Sequence, residues 1–311
     1  MSRVLISTSS FGVVSREPLE RLNEKAVEYR LNPHGRRLDK SETIHLLHGC
    51  DGLIAGTEVL DRDVLTGADA LRIISRCGTG LENIDLGAAD ELGIAIRHTP
   101  DALADAVAEL TLAGLLAVLR SIATADRDLR AGTWRKPMGR LLKGKTVGLV
   151  GLGRVGKVLV QLLAPFGGRL LATDPAPDLE FIAVHGIGMH DLDFLLEHSD
   201  IVSLHLPLTS GTRHLLDDRR LASMRSGAIL INCSRGGLVD EQALYRRLED
   251  GRIGGAYLDT FEEEPYSGPL RELPNVVLTP HIGSYASESR ARMELEAVSN
   301  LLQFFDGRTT T

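Results

Sequence analysis

Residues 145–166, KTVGLVGLGRVGKVLVQLLAPF, give the most direct indication of the fold. This stretch begins with a short apolar run typical of a buried strand, continues with Gly-x-Gly-x-x-Gly, and ends with apolar residues at helical spacing. In such a unit the first glycine permits a tight turn, the second lets a pyrophosphate approach the backbone, and the third lets helix and strand pack closely. The residues predicted to contact a dinucleotide here are Gly151, Gly153, Arg154, Val155 and Gly156.

The next apolar run, RLLATD, indicates which dinucleotide is bound. It ends in Asp174, 23 residues after Gly151. A carboxylate at this point can accept hydrogen bonds from the adenosine ribose hydroxyls and would repel the extra phosphate of NADP. A glycine-rich turn without a cofactor is the alternative for an isolated Gly-x-Gly-x-x-Gly, but the strand, helix and aspartate around it favour NAD.

Short apolar runs alternate with helix-period segments along the rest of the chain. Continuous apolar strands separated by helices are typical of parallel sheets covered on both faces, so the predicted fold class is α/β. The runs are RVLIST, DGLIAG, LRIISR, KTVGLVGLG, RLLATD, IVSLHLP, AILINCS, GAYLDT and VVLTPH.

Two helical segments suggest how these strands are divided into domains. A long helix is predicted over residues 101–132, with Asp101 as its N-cap and Gly132 as its C-terminal stop, and it separates two groups of strands. A second, amphipathic helix from about residue 284 to 305 is expected to return to the first domain. We predict a nucleotide domain over 104–282, inserted in a smaller domain made of 1–103 and 283–311.

Composition narrows the classes of partner. The 311 residues carry a net charge of −7 without a basic run, which argues against nucleic acid and favours a small-molecule ligand. No signal-like segment or apolar run of ~20 residues is visible, so we expect a cytoplasmic protein without a membrane anchor. Three scattered cysteines are expected to be core thiols, and no metal site is predicted. The histidines His45, His48, His185, His190 and His198 have no matching set of cysteines or carboxylates, so they are expected to be surface residues.

Polar residues follow several of the later strands. Doubly wound sheets bind ligands outside the carboxyl ends of their strands, so these residues can converge on one crevice. Hydride transfer from nicotinamide to a ketone needs a proton donor and a cation that fixes the substrate. His281 can be the acid, Glu264 its carboxylate partner, and Arg235 the fork that grips a 2-oxo acid. Taken singly, these would be a capping histidine, a solvated glutamate and a surface arginine.

Five blocks, GLGRVG, LHLPLT, NCSRGGLVDEQAL, GGAYLDTFEEEP and TPHIGS, resemble the D-isomer-specific 2-hydroxyacid dehydrogenase family in order and spacing. The resemblance implies that Arg235, Glu264 and His281 are the catalytic trio. It also implies a Rossmann NAD-binding domain inserted in a flavodoxin-like substrate domain, a hinged cleft, and a homodimer built through the nucleotide domains. Further cofactor contacts implied by the resemblance are His205, Pro207, Thr212, Cys233, Ser234, Asp259 and Gly283.

Within the family, the chain most resembles phosphoglycerate dehydrogenases without a regulatory C-terminal domain. The substrate contacts implied are Arg76, an anion nest at Gly78, Thr79 and Gly80, and a basic patch at Trp134, Arg135 and Lys136 that in such enzymes can reach the neighbouring subunit. These enzymes usually carry an arginine where this chain has Gly56 and Thr57.

We therefore predict oxidation of 3-phosphoglycerate, with reduction of hydroxypyruvate, glyoxylate or another anionic 2-oxo acid as the alternative. Formate dehydrogenases resemble the chain less, because a glutamine usually stands where Glu264 does. A NAD-sensing interaction protein is the remote alternative.

Overall fold

The computed structural model of the chain describes residues 2–100 and 102–307. The chain forms two compact units, the first from Met1–Leu103 and Ser284–Thr311 and the second from Ala104–Gly283. The predicted N-cap Asp101 lies outside the described residues.

The sheet of the first unit has five parallel strands, and buried side chains cover both of its faces. Alternate residues point to opposite faces, so Leu5 and Leu53 join one core cluster while Val4 and Ile54 join the other. The strands are β1 (Arg3–Ile6), β2 (Glu28–Leu31), β3 (Gly52–Ala55), β4 (Ile73–Arg76) and β5 (Ala95–His98). Their order, β2-β1-β3-β4-β5, is that of a flavodoxin-like sheet.

The sheet of the second unit has seven parallel strands. They are β6 (Thr146–Val150), β7 (Arg169–Thr173), β8 (Gly188–Met189), β9 (Ile201–Leu204), β10 (Ala228–Asn232), β11 (Ile253–Leu258) and β12 (Val276–Leu278). Their order is β12-β11-β10-β9-β6-β7-β8. Successive strands are added on one side of β6 up to β8 and on its other side from β9 onward, so the strand order reverses between β6 and β9, as in a Rossmann fold. The predicted α/β class with two doubly wound parallel sheets is confirmed.

Helices connect the strands, and most begin at an aspartate. They are α1 (Glu17–Glu24), α2 (Lys40–Leu47), α3 (Arg62–Gly67), α4 (Leu86–Glu91), α5 (Ala104–Leu119), α6 (Ile122–Arg130), α7 (Arg154–Leu163), α8 (Leu179–His185), α9 (Leu192–His198), α10 (Asp218–Ser223), α11 (Glu241–Glu249) and α12 (Ser287–Phe305). An aspartate side chain accepts a backbone N–H at the start of α2, α3, α4, α8, α9, α10 and α11, which satisfies a donor that has no partner within the helix.

The prediction of one helix over 101–132 is wrong. Ser121 has a φ of 51°, which ends the hydrogen-bonding pattern of α5, and α6 then continues at an angle of 64°. The two helices also differ in burial, because α5 packs Ala108, Gly114 and Leu115 into the core while α6 buries no residue. Among the described residues no single helix is long and apolar enough to cross a bilayer, and the α5–α6 pair meets that criterion only when both sides of the bend are counted.

Candidate active site

The glycine loop after β6 contains three glycines, and the surroundings of each explain the absence of a side chain in a different way. Gly151 has a φ of +97°, and a Cβ there would lie 2.5 Å from the carbonyl oxygen of His205. A Cβ at Gly156 would lie 2.8 Å from the oxygen of Gly151 at the start of α7. A Cβ at Gly153 would meet no atom within 4 Å. Open space over the middle glycine fits the close approach of a cofactor diphosphate.

Asp174 follows β7 and holds this loop from the side. Its carboxylate accepts the N–H of Leu152 at 2.7 Å and the N–H of Ala176 at 2.8 Å. A carboxylate can accept about four hydrogen bonds, so the partly exposed group retains capacity for ribose hydroxyls. Arg154 is exposed at the first position of α7, whose N-terminus has no side-chain cap and so offers backbone N–H groups to an anion. This arrangement fits a dinucleotide.

The turn that carries Arg235 is fixed by Asn232, the buried last residue of β10. The side-chain oxygen of Asn232 accepts the N–H of Ser234 at 3.1 Å and its hydroxyl at 3.0 Å. Its amide nitrogen donates to the carbonyl of Arg235 at 2.7 Å. The guanidinium in turn donates to the carbonyl of Ser234 at 2.7 Å. Asn232 therefore positions Arg235. The sequence predicted a role for Arg235 but none for Asn232.

Gly236 brings the Arg235 turn against the loop that follows β11. A Cβ on Gly236 would lie 1.9 Å from the carbonyl carbon of Phe261, so only glycine permits this approach. Loop residues 259–265 carry Glu264, which accepts the N–H of Phe261 at 3.1 Å. The contact of the two backbones thus places Arg235 and Glu264 on neighbouring turns at the same edge of the sheet.

Glu264 and His281 are in direct contact. The two carboxylate oxygens lie 2.9 and 3.1 Å from Nδ1 of His281, which follows β12 with a φ of 54°. Burial alone would raise the pKa of Glu264, but the hydrogen bond and charge of His281, the N–H of Phe261 and the charge of Arg235 bring it below its ordinary value. The side chains of His281 and Glu264 are 46% and 38% exposed, so a ligand can reach them.

Asp259 anchors the loop on which His281 lies. Its side chain is fully buried and accepts the hydroxyl of Thr279 at 2.5 Å and the N–H groups of Ile282 and Gly283 at 2.9 and 2.8 Å. Burial raises the pKa of Asp259 despite these donors. The hydroxyl of Tyr257 lies 2.8 Å from that of Thr279 and extends the network into the core.

The remaining predicted cofactor residues lie at the ends of β9 and β10. Burial lowers the pKa of His205 to about 4, and its Nε2 lies 2.9 Å from the hydroxyl of Ser203, so the ring is neutral near pH 7. The hydroxyl of Thr212 donates to the carbonyl of Pro207 at 2.8 Å, which closes that loop on itself. Burial raises the pKa of Cys233 to about 12, so this cysteine is a thiol.

In the first unit, the predicted anion nest follows β4. The N–H of Gly78 donates to the hydroxyl of Thr99 at 2.8 Å, so Thr79 and Gly80 supply the N–H groups that a ligand could use. The guanidinium of Arg76 donates to the carbonyl of Cys77 and lies beneath the loop, 2.7 Å from where a Cβ of Gly78 would be. Arg76 thus supports this loop from below.

A residue that the sequence reading passed over, Glu58, lies beside the nest. It is 1% exposed, and its carboxylate accepts the hydroxyl of Ser7 at 2.5 Å and the N–H of Gly56 at 3.1 Å. Because β1, β3 and β4 are neighbours, these residues and the Gly78 loop form one row along the carboxyl edge of the sheet.

The predicted basic patch lies on the segment after α6, in the second unit. Trp134 is 80% exposed, Lys136 is exposed, and the guanidinium of Arg135 donates to Asp128 at 2.7 Å. Among the described residues there is no group of three or more His, Cys, Asp or Glu side chains that could hold a metal ion.

Comparisons with known proteins agree with this geometry. Residues 112–283 match the family described as D-isomer specific 2-hydroxyacid dehydrogenase, NAD binding domain. A glyoxylate reductase of Thermofilum pendens is 44% identical, covering 81% of this chain and 77% of its own length. A hydroxypyruvate reductase of Thermotoga maritima is 37% identical, covering 91% of this chain and 95% of its own length. A D-3-phosphoglycerate dehydrogenase of Methanocaldococcus jannaschii is 41% identical, covering 81% of this chain and 49% of its own length.

Solved structures share the fold, and one of them holds the cofactor. The TT0316 protein of Thermus thermophilus superposes with a TM-score of 0.90 at 38% identity, over 98% of this chain and 97% of its own. A D-lactate dehydrogenase of Aquifex aeolicus, solved with NAD and lactic acid, gives a TM-score of 0.85 at 26% identity, over 98% and 96%. The predicted family and the predicted cofactor NAD are both confirmed. The chain belongs to the D-isomer specific 2-hydroxyacid dehydrogenases, NAD-dependent oxidoreductases that act on a CH–OH group.

Proposed function

We propose that the protein reduces a small unphosphorylated 2-oxo acid, such as hydroxypyruvate or glyoxylate, and catalyses the reverse oxidation of the 2-hydroxy acid. The observation that carries this proposal is the contact between Glu264 and Nδ1 of His281, next to the turn of Arg235. Bound NADH supplies the hydride. The residues that would hold it are those of the glycine loop with Asp174.

Each member of the trio has a distinct role in this proposal. Because Glu264 occupies Nδ1 of His281, the remaining nitrogen, Nε2, is the one that gives a proton to the substrate oxygen in reduction and takes it back in oxidation. The paired carboxylate orients the ring. Arg235 binds the substrate carboxylate through its fork of N–H donors. Asp259 and Asn232 act indirectly, because they position the loops of His281 and Arg235.

The preference for an unphosphorylated substrate rests on the relatives, since a glyoxylate reductase is 44% identical and a hydroxypyruvate reductase 37% identical to this chain. Gly56 and Thr57 also stand where phosphoglycerate dehydrogenases usually carry an arginine, so a phosphate group would lack that cation. The second candidate, 3-phosphoglycerate, is supported by Arg76 in the neighbouring loop and by the 41% identity to a phosphoglycerate dehydrogenase.

A steady-state assay of NADH oxidation tests the substrate. The panel contains hydroxypyruvate, glyoxylate, pyruvate, 2-oxoglutarate and 3-phosphohydroxypyruvate. We expect the highest kcat/KM with one of the first two acids. A preference for the phosphorylated compound would replace this proposal by the second candidate.

Arg235 is proposed to clamp the substrate carboxylate, and the variant Arg235→Lys tests this clamp role. Lysine keeps the charge but not the planar fork, so kcat/KM should fall by about tenfold or more while NADH binding is retained. An unchanged kcat/KM would remove the clamp role.

We also propose a homodimer that associates through α6 and the segment after it. The apolar side chains there are exposed, with fractions of 54% for Ile122, 58% for Leu129 and 80% for Trp134. Apolar surface of this kind is typical of a protein interface. A cytoplasmic location stays a prediction; it is compatible with three free cysteines that are all buried.

A further inference from the structure

Three further carboxylates lie around Glu264, the carboxylate of the proposed active site. Glu262 and Glu263 precede it in the loop after β11, and Glu241 is the first residue of α11. Glu241 accepts the N–H of Glu262 at 2.6 Å. Burial raises the pKa of Glu241, and the charges of the other three glutamates raise it further. These four residues, here called the acidic group, therefore share one electrostatic environment.

Arg213 compensates part of this charge. Its guanidinium donates to Oε1 of Glu262, and Nε2 of His214 lies 3.2 and 3.3 Å from the two oxygens of the same carboxylate. The loop that carries Arg213 is tied to the Arg235 turn, because the N–H of His214 donates to the carbonyl of Gly237 at 2.8 Å. Arg213 and Arg235 thus approach the acidic group from two adjacent loops.

Two carboxylates could bind Arg235: that of Glu262 and that of the substrate. The backbone of the Arg235 turn lies directly against the acidic group, because a Cβ on Gly236 would lie 2.3 Å from the backbone nitrogen of Glu262. An uncompensated Glu262 would offer Arg235 the same bidentate chemistry as the carboxylate of a 2-oxo acid. With Glu262 paired to Arg213, that competitor is neutralised.

We infer that Arg213 is a positioning residue for substrate binding: its ion pair with Glu262 keeps the acidic group from capturing Arg235. This inference rests on the proposed function, because it assumes that Arg235 binds the substrate carboxylate. The pair is solvent-accessible, with Arg213 55% and Glu262 29% exposed. Exposed ion pairs contribute little to stability, so the structure gives this pair a role in charge placement more than in folding.

Four variants test the inference in the full-length protein: Arg213→Gln, Arg213→Lys, Glu262→Gln and the double variant Arg213→Gln with Glu262→Gln. Arg219→Gln is the matched control, since Arg219 is an exposed arginine paired with Asp193 in the same unit. For each protein we would measure kcat and KM with hydroxypyruvate and with glyoxylate, the Kd of NADH by fluorescence, and Tm.

For Arg213→Gln we expect KM to rise by about tenfold, because Glu262 then competes for the clamp, while kcat, the Kd of NADH and Tm change little. Arg213→Lys should recover part of the loss, since lysine keeps the charge. The double variant should return KM to within about threefold of the wild type, because the competing charge has gone. Glu262→Gln and Arg219→Gln should both match the wild type.

Two results would overturn the inference alone, in an enzyme that is active. One is an unchanged KM in Arg213→Gln, and the other is a double variant as impaired as the single one, which would show that the arginine acts through structure. A wild-type protein that binds NADH but reduces neither acid would instead overturn the proposed function, and the inference with it.

Discussion

His281 owes its orientation to a single carboxylate, and this dependence gives the most direct prediction. In His281→Ala, Glu264 loses its partner and the substrate oxygen loses its proposed proton donor, so kcat should fall by about 10²–10⁴-fold. NADH binding should be retained, since the glycine loop follows a different strand. Stopped-flow turnover with fluorescence titration of NADH separates the two effects. Turnover equal to that of the wild type would exclude His281 as the acid.

His205 predicts how stability depends on pH. Burial lowers its pKa from 6.5 to about 4, so between these values the unfolded chain binds a proton that the folded chain does not. Its contribution to stability is complete above about pH 6.5 and is lost as the pH falls toward 4. The loss has an upper limit of about 3 kcal/mol, because one pKa unit corresponds to ~1.4 kcal/mol. Urea denaturation of the wild type and His205→Asn at pH 7 and pH 5 would show it, and equal pH slopes would contradict it.

At the residue scale, the sequence indicates the groups proposed to carry the chemistry, but no local pattern indicates the residues that position them. Arg235, Glu264 and His281 stand at strand ends, where the topology makes them visible. Asn232 looks like part of a buried strand, and its role depends on the fold of the following turn. The pairing of Arg213 with Glu262 joins residues 49 positions apart, which no local pattern indicates.

At the scale of the elements, strands with buried apolar runs were predicted, including the edge strand β12, but the other three edge strands were not. The three missed strands are β2, β5 and β8, and each lies at an edge of its sheet. β2 has the sequence EYRL, with three exposed residues, because one of its sides meets solvent. The break between α5 and α6 was also missed, because neither residue between the two helices, Arg120 or Ser121, is a proline or a glycine.

The glycine loop allows a matched test of two neighbouring glycines. Gly153→Ala adds a methyl group to open space, so Tm should stay while the Kd of NADH rises by about tenfold, because the methyl group occupies the diphosphate position. Gly156→Ala places its Cβ 2.8 Å from a backbone oxygen, so α7 must shift. We expect that variant to lose about 1–3 kcal/mol of stability. Calorimetry and NADH titration of both variants would check this, and a reversed pattern would contradict the assigned glycine roles.

At the scale of the whole molecule, the exposed apolar surface of α6 predicts an oligomer. Light scattering should give twice the mass of the 33.7 kDa chain. The double variant Ile122→Glu with Leu129→Glu places charges in the proposed interface and should give the single mass, with Glu17→Gln on α1 as a surface control. A monomeric wild type would exclude this interface, and with it any role of Arg135 and Lys136 in a neighbouring subunit.

The discontinuous first unit cannot complete its core until the end of the chain has been synthesised. Its core is shared by two distant parts of the chain, since α12 packs against β3 and β4 and the hydroxyl of Ser75 donates to the carbonyl of Ala297 at 2.8 Å. A ribosome adds ~5–20 residues per second, so the 104–283 stretch takes on the order of 10–40 s to synthesise. During that time the nascent sheet lacks α12, so the apolar residues of β3 and β4 that this helix covers stay exposed. The second unit, continuous in sequence, can fold first.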